Sequence, residues 1–397
     1  MKIALFTETF LPQVNGVVRT IEKIVKHLEQ KGHEVKLFAI GEGEKSYSKT
    51  EVIRVDGVPF SFYKELYVVK PEDKWLSKLI ENDISQTPIA ALQTLIPSKH
   101  SVVEKALEDF KPDLIHLATP VTLGAIGIYY VEKLKLPCLA TFHTDLAAYA
   151  PMYQLPYMEE FVNAVTNMVY SRADRILAPS RSSRFQLKKI GLKNVGVFGR
   201  GVDHVLFDPA KANKDKLKEI GLDPSKKTIA YVGRLAEEKS IPQLITSYKE
   251  LKAKHDDIQL LLIGDGPARE GLEKDLKDTK DWAFAGLKKG EELAELFASA
   301  DIFAFPSKTE TFGQVVQEAM ASGLPVVGFD SPGVRDLVQD TFTGFLAYDQ
   351  TSFTQSIEKL FDTELRTKLS TNAREFAQTR SWESILDGLV TEYQKLT

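Results

Sequence analysis

Apolar and polar positions along this 397-residue chain follow two alternating periods. Short, almost unbroken apolar runs occur at residues 2–6, 35–40, 52–55, 113–117, 138–142 and 175–178. Runs of this length and continuity predict strands buried on both faces. Between them, Val17, Val18, Ile21, Ile24, Val25 and Leu28 recur at helical spacing and stop before Gly32. A second series of apolar runs lies at 228–233, 258–263, 282–285, 301–305, 325–328 and 344–347. Strands alternating with helices predict an α/β protein with parallel sheets covered on both faces. The lysine-rich stretch between Pro209 and Lys227 separates the two series. The expected organisation is therefore two Rossmann-like, doubly wound domains, residues 1–203 and 204–380, facing each other across a cleft. Ligands of such sheets bind at the carboxyl ends of the strands. A last helical pattern, Trp382, Ile385, Leu386, Leu389, Val390 and Tyr393, must bury its apolar stripe somewhere, and places a further helix over 381–397.

Composition narrows the class without changing that picture. Apolar residues make up 43% and charged residues 27%, as in a globular protein that folds in water. A length near 400 exceeds one ordinary core. The formal net charge of −4 gives no reason to expect nucleic acid. Cys138, the single cysteine, lies in an apolar run and reads as a small buried hydrophobe in a reducing compartment. No secretion signal reads at the start, and the longest weakly polar stretch, 122–131, is about half of what a membrane-spanning helix needs. The expected location is the cytoplasm, with peripheral attachment to the inner face of the membrane left open.

The most informative chemistry lies between Ser307 and Met320, where Glu310 and Glu318 stand eight residues apart. The segment follows the apolar run 301–305, contains Gly313 and leads into a helical pattern ending near Ser322. A strand, a glycine turn and a helix start aim backbone N–H groups and a positive dipole end at one point, which suits a phosphate. Eight residues are a little over two helical turns, so the spacing sets Glu318 one layer behind Glu310 on roughly the same face. One carboxylate can then meet a sugar and the other a ribose, so the segment points to a nucleotide sugar.

Other candidates stand at strand ends. Gly233-Arg234 and Lys239 follow the first strand of the second series, and offer a planar fork and a mobile cation to phosphate oxygens. A solvated charge pair is the bland alternative. Gly264-Asp265-Gly266-Pro267 reads as a tight turn beside a nucleotide. It is not a dinucleotide fingerprint, because Arg269 holds the place of the third glycine. Asn15 and Gly16 allow close backbone approach to a ligand, or simply cap a helix. His143 and Asp145 end another buried run, with Tyr149 nearby, and Asp203 follows Gly201-Val202 as a site residue or a turn cap. The histidines show no metal-ligand spacing. Aromatic and basic residues mix between Phe60 and Lys78, as an anionic membrane or a lipid acceptor would require, or as ordinary packing beside a solvated face.

Taken in order, the Asn15-Gly16 loop, Gly201-Val202-Asp203, Gly233-Arg234 with Lys239, Gly264 to Pro267, and Glu310 with Glu318 resemble the family-four retaining glycosyltransferases of the twin-Rossmann GT-B fold. Within that family, 142–145 with Tyr149, and 199–203, are most similar to a lipid-sugar branch. That branch holds GDP-mannose-dependent α-mannosyltransferases, diacylglycerol glucosyltransferases and the plant sulfolipid synthase. The resemblance implies transfer of a hexose from a GDP-mannose or UDP-glucose type of donor to a sugar or lipid hydroxyl. It implies no cofactor beyond that substrate and no metal; an anionic membrane surface as partner rests on the 60–78 stretch instead.

By the same resemblance Arg234 and Lys239 neutralise the diphosphate, with Gly233, Gly264, Thr311, Phe312 and Gly313 around the donor. Glu310 meets the transferred sugar, Glu318 the ribose, and His143 a sugar hydroxyl. Gly16 approaches the phosphate or acceptor, and Asn15, Asp145 and Tyr149 line the acceptor side. The terminal helix is expected to pack back on the first domain. Ser240 and Asp336 depart from the family, which often has Gly and Glu there. A nucleotide-sugar epimerase and a non-catalytic nucleotide-sugar-binding protein remain as rival readings.

Overall fold

A computed structural model describes the chain except for residues 14, 61–62, 71–98, 119–120, 144–157, 309 and 311, and gives only the backbone of 59–60, 63–66, 158–162 and 165. The chain divides into two units, Met1–Gly199 with Ile385–Thr397, and Arg200–Ser384.

The strands of the first unit are β1 (Lys2–Thr7), β2 (Glu34–Ile40), β3 (Ser46–Tyr47), β4 (Thr50–Val55), β5 (Gly57–Phe60), β6 (Tyr63–Val69), β7 (Leu114–Ala118), β8 (Cys138–Thr141), β9 (Arg175–Ala178) and β10 (Val195–Val197). Its helices include α1 (Gly16–Gln30), α2 (Ser101–Phe110), α3 (Thr122–Leu134), α4 (Met158–Tyr170) and α5 (Arg181–Lys189). The main sheet runs β10-β9-β8-β7-β1-β2-β4-β3, and only the β3–β4 pair is antiparallel. β5 and β6 form a separate antiparallel pair. β1 is buried from Ile3 through Thr7 and is flanked by β2 and β7, as its unbroken apolar run predicts.

The second unit contains β11 (Lys227–Val232), β12 (Ile258–Ile263), β13 (Trp282–Gly286), β14 (Ile302–Phe305), β15 (Val326–Phe329) and β16 (Gly344–Ala347). Its longer helices are α6 (Ile241–Lys252), α7 (Arg269–Leu276), α8 (Gly290–Ser299), α9 (Gln314–Ala321), α10 (Gln350–Lys359) and α11 (Thr363–Gln378). The sheet runs β13-β12-β11-β14-β15-β16, every pair parallel. The chain winds outward from β11 to one edge and then returns to wind the other way from β14. This is the doubly wound pattern, and its reversal lies between β11 and β14. The equivalent reversal in the first sheet lies between β1 and β7.

Each unit has its own core. In the first, Phe6 and Phe38 stack with centroids 4.4 Å apart on neighbouring strands. In the second, Phe303, Phe305 and Tyr231 stack across β14 and β11. The terminal helix α12 (Trp382–Gln394) buries Leu386, Leu389, Val390 and Tyr393 of the stripe read from its spacing, while Trp382 and Ile385 are only partly buried. Burial of each such side chain contributes about 2 kcal/mol. From Ile385 onward it belongs to the first unit, where Glu392 pairs with Arg175 at 2.5 Å and Asp387 with His27 at 2.9 Å. Among the described residues no helix is long and apolar enough to cross a membrane. Cys138 is fully buried on β8, and burial pushes its thiol well above its usual range.

Candidate active site

β11 and β14 are neighbours at the reversal point of the second sheet, so the loops that leave their carboxyl ends start side by side. β11 ends in Gly233. A Cβ on Gly264, the residue after β12, would lie 1.9 Å from the Gly233 carbonyl oxygen. The two loops therefore touch backbone to backbone, and Gly264, at φ 142°, accepts what a side chain could not. Beneath them Tyr231 is fully buried and donates its hydroxyl to the Arg234 carbonyl at 3.1 Å. Burial, then the charges of Glu310 and Glu238, hold that phenol far above its usual range, while Arg234 opposes them. The Tyr231 hydroxyl thus marks where these charged groups converge.

The charged groups are paired. Arg234 bonds Glu238 one turn on, with its side chain nearly half exposed. Lys239 bonds Glu310, and both side chains are only 17% exposed. The Ser307 hydroxyl reaches the same Glu310 oxygen at 3.3 Å. The Glu310 carbonyl accepts the Gly333 N–H at 2.9 Å, which anchors the loop from the other side. Phe312 is buried, and Gly313, at φ 83°, starts α9. Its N-cap, Gly313, has no side chain to cap it. Its first N–H groups keep the positive end of the dipole available at this point. Glu318 lies inside α9, buried within the second unit.

The helix begins at Gln314, so Glu310 belongs to the preceding loop, and the expectation that Glu310 and Glu318 stack on one helical face is corrected. Gly313 in the left-handed region is the physical reason, since that conformation ends helical continuity.

Three residues that the sequence reading gave no role belong to this cluster. Ser307 and Tyr231 are named above. Arg200 places its guanidinium 5.8 Å from the centre of the Phe312 ring. Burial lowers its ionisation to about 10 and the Glu310 carboxylate opposes that shift. Its Nε has no hydrogen-bond partner among the described residues. A charge set between two glycines, Gly199 and Gly201, beside the buried Val202 was the available signal. Gln314 donates to the Gly201 carbonyl at 3.1 Å and ties this loop to the start of α9. Asp203 accepts the Leu206 N–H at 3.0 Å, as a turn cap does. Ser240, where the family often has Gly, sits at φ 53°, a conformation that glycine adopts without strain. Asp336 follows the short helix Pro332–Arg335.

The remaining candidates lie in the first unit. Asn15 caps α1, its side-chain oxygen accepting the Val17 and Val18 N–H groups at 3.0 Å each, and Gly16 is the first helical residue. His143 follows β8 and is buried, its Nε2 2.9 Å from the Thr141 hydroxyl. Asp145, Tyr149 and Thr311 lie outside the described residues, as does most of the 60–78 stretch. Among the described residues no group of three or more His, Cys, Asp or Glu side chains could hold a metal ion.

Known proteins carry the same organisation. A family model described as Glycosyltransferase Family 4 matches residues 14–206, and one described as Glycosyl transferases group 1 matches 213–376. A GDP-mannose-dependent alpha-mannosyltransferase of Mycolicibacterium smegmatis is 33% identical over 399 residues, covering 99% of this chain and 97% of that protein. An alpha-monoglucosyldiacylglycerol synthase of Streptococcus pneumoniae is 26% identical, covering 88% of this chain and 76% of its own. Among solved structures, Anabaena HepE in complex with UDP superposes with a TM-score of 0.76 at 19% identity, covering 100% of both chains. The fold is therefore that of the GT-B glycosyltransferases, and the chain belongs to glycosyltransferase family 4, as an enzyme that transfers sugars.

Proposed function

We propose that this enzyme moves a hexose from a nucleoside diphosphate sugar, of the GDP-mannose or UDP-glucose type, to a hydroxyl of a cell-envelope glycolipid or diacylglycerol, with retention at the anomeric carbon. The Lys239–Glu310 pair, set at the reversal of the second sheet beside Arg200, Arg234 and the glycine-led start of α9, is the observation that carries this reading. The diacylglycerol synthase named above supports the acceptor class, and the GDP-mannose-dependent mannosyltransferase with HepE, a structure holding UDP, supports the donor class.

Departure of a nucleoside diphosphate builds negative charge on the β-phosphate. Lys239, Arg234 and Arg200, with the Phe312 and Gly313 amides, stabilise that charge where other enzymes use a metal. One such fixed donor is commonly worth about 3 kcal/mol. Glu310 meets the transferred sugar and Glu318 the ribose, with Gly233, Gly264 and Thr311 around the donor. Glu310 has its oxygen engaged by Lys239 and Ser307, which makes it a poor nucleophile. Same-face attack follows. The bond from the anomeric carbon to the phosphate oxygen breaks, the acceptor oxygen bonds on the same side, and its proton passes to the departing phosphate. His143 meets a sugar hydroxyl, Gly16 the phosphate or acceptor, and Asn15, Asp145 and Tyr149 the acceptor.

The protein would work at the inner face of the membrane. In the described residues, α5 offers a surface for this. Arg181, Arg184, Phe185, Lys188 and Lys189 are all exposed and recur at i, i+3, i+4, i+7 and i+8, a single basic face with one aromatic.

The test is transfer itself. Each labelled donor is incubated with diacylglycerol and with glycosylated diacylglycerol, and the anomeric configuration of the product is read by NMR. An α-linked product from an α-linked donor supports the proposal. An inverted product overturns retention, and a sugar altered in the absence of acceptor favours the epimerase.

A further inference from the structure

We infer that His143 is held as its Nδ1–H tautomer by a buried run of hydrogen bonds that starts at Tyr393 in the terminal helix. Three contacts make the run. The Tyr393 hydroxyl lies 2.7 Å from His116 Nδ1, His116 Nε2 lies 2.9 Å from Thr141 Oγ1, and Thr141 Oγ1 lies 2.9 Å from His143 Nε2. Tyr393, His116 and Thr141 are fully buried and His143 nearly so. They come from α12, β7, β8 and the residues just after β8, all within the first unit.

Proton counting sets the direction. Burial holds His116 neutral, far below its ordinary ionisation, so its ring has one N–H for two partners. Suppose that N–H were on Nδ1 and pointed at Tyr393. The tyrosine would then have to donate its own hydrogen elsewhere, and among the described residues its hydroxyl has no second partner. A buried hydroxyl hydrogen left without an acceptor is strongly disfavoured. The opposite direction leaves nothing unpaired. Tyr393 donates to His116 Nδ1, His116 Nε2–H donates to Thr141, and Thr141 donates to His143 Nε2. The lone pair of His143 Nε2 is thereby occupied, and the ring proton sits on Nδ1.

The consequence for the proposed reaction rests on the reading that His143 meets the sugar. On that reading His143 offers an N–H donor from Nδ1 and is not the base that takes the acceptor proton, in keeping with proton transfer to the departing phosphate. Tyr393, His116 and Thr141 act as positioning residues, and Tyr393 does so from the last helix of the chain.

The experiment is a long-range 1H–15N correlation spectrum of the full chain labelled at its seven histidines. The His143 signals are assigned by their loss in His143→Gln. Expected in the wild type at neutral pH are a single Nδ1–H form for His143 and a single Nε2–H form for His116. Nε2–H on His143, or Nδ1–H on His116, overturns the inference. Tyr393→Phe removes only the first donor and touches His116, not His143. It should nonetheless convert His143 from one tautomer to a mixture, and an unchanged His143 pattern would also overturn the claim. Neither donor nor acceptor is present, so the spectra decide the tautomer whether or not the protein transfers a hexose.

Discussion

Glu8 shows how a single residue can set a pH response. Its carboxylate is buried just after β1, and each oxygen has two donors. Oε1 accepts the Val121 and Gly124 N–H groups at 2.7 and 2.9 Å, and Oε2 accepts the Leu123 N–H and the Thr122 hydroxyl at 3.2 Å each. Glu8 thereby satisfies the start of α3 from another element. Burial outweighs those donors and raises its pKa from the ordinary 4.5 to about 7. Between those two values the unfolded chain releases the proton while the folded chain keeps it. Stability from this group therefore falls as pH rises through that window and levels above it. Against Glu8→Gln, the wild type should lose up to about 1.4 kcal/mol per pH unit across the window. Denaturant titrations of both proteins check this, and parallel pH profiles would contradict it. Glu8 itself was not singled out by the sequence, because a carboxylate beside a strand end looks the same whether it meets solvent or a distant helix start. Arg200 escaped for a related reason. Its importance comes from the ring of Phe312 and the charge of Glu310, more than a hundred positions away along the chain.

Elements were the most legible level. The runs at 175–178, 258–263 and 344–347 coincide with β9, β12 and β16. Parallel strands buried on both faces write themselves as continuous apolar segments, so their ends coincide with the ends of the runs. The β5–β6 pair was missed because its aromatic and basic mixture reads as surface. β10 was missed because three residues around Gly196 carry little periodicity. The stacking of Glu310 with Glu318 was misread because spacing alone could not show that Gly313 takes a left-handed conformation and leaves Glu310 in the loop. Element-scale chemistry is also testable at α5. Phe185 is 71% exposed and four cations share its face. Each cation near an anionic surface is worth about 1 kcal/mol. Lys188→Glu with Lys189→Glu should weaken sedimentation with anionic vesicles by about tenfold or more at low salt. Equal sedimentation of the wild type and the double variant would contradict membrane docking through this helix.

At the scale of the whole molecule, both sheets reverse their winding directly beside the first strand of their unit, and the candidate residues leave strands at or next to those reversals. In the second unit, Arg234 leaves β11 and Glu310 follows β14. In the first, Asn15 and Gly16 follow β1, and His143 follows β8. The pairing of Lys239 with Glu310 was foreseeable only as two charges in one half of the chain. The fold supplies the contact across 71 positions. The central claim is that this pair, with its neighbouring cations, holds a nucleoside diphosphate. Thermal unfolding of the wild type, Lys239→Ala and Glu310→Gln with GDP-mannose, UDP-glucose, UDP-galactose and UDP-N-acetylglucosamine tests it most directly. At a hundredfold excess over Kd a true donor adds about 2.7 kcal/mol of apparent stability. The account predicts that at least one of the four raises the unfolding temperature of the wild type, with most of that gain lost in Lys239→Ala. A set of donors that leaves the wild type unmoved, or moves the wild type and Lys239→Ala equally, would contradict it.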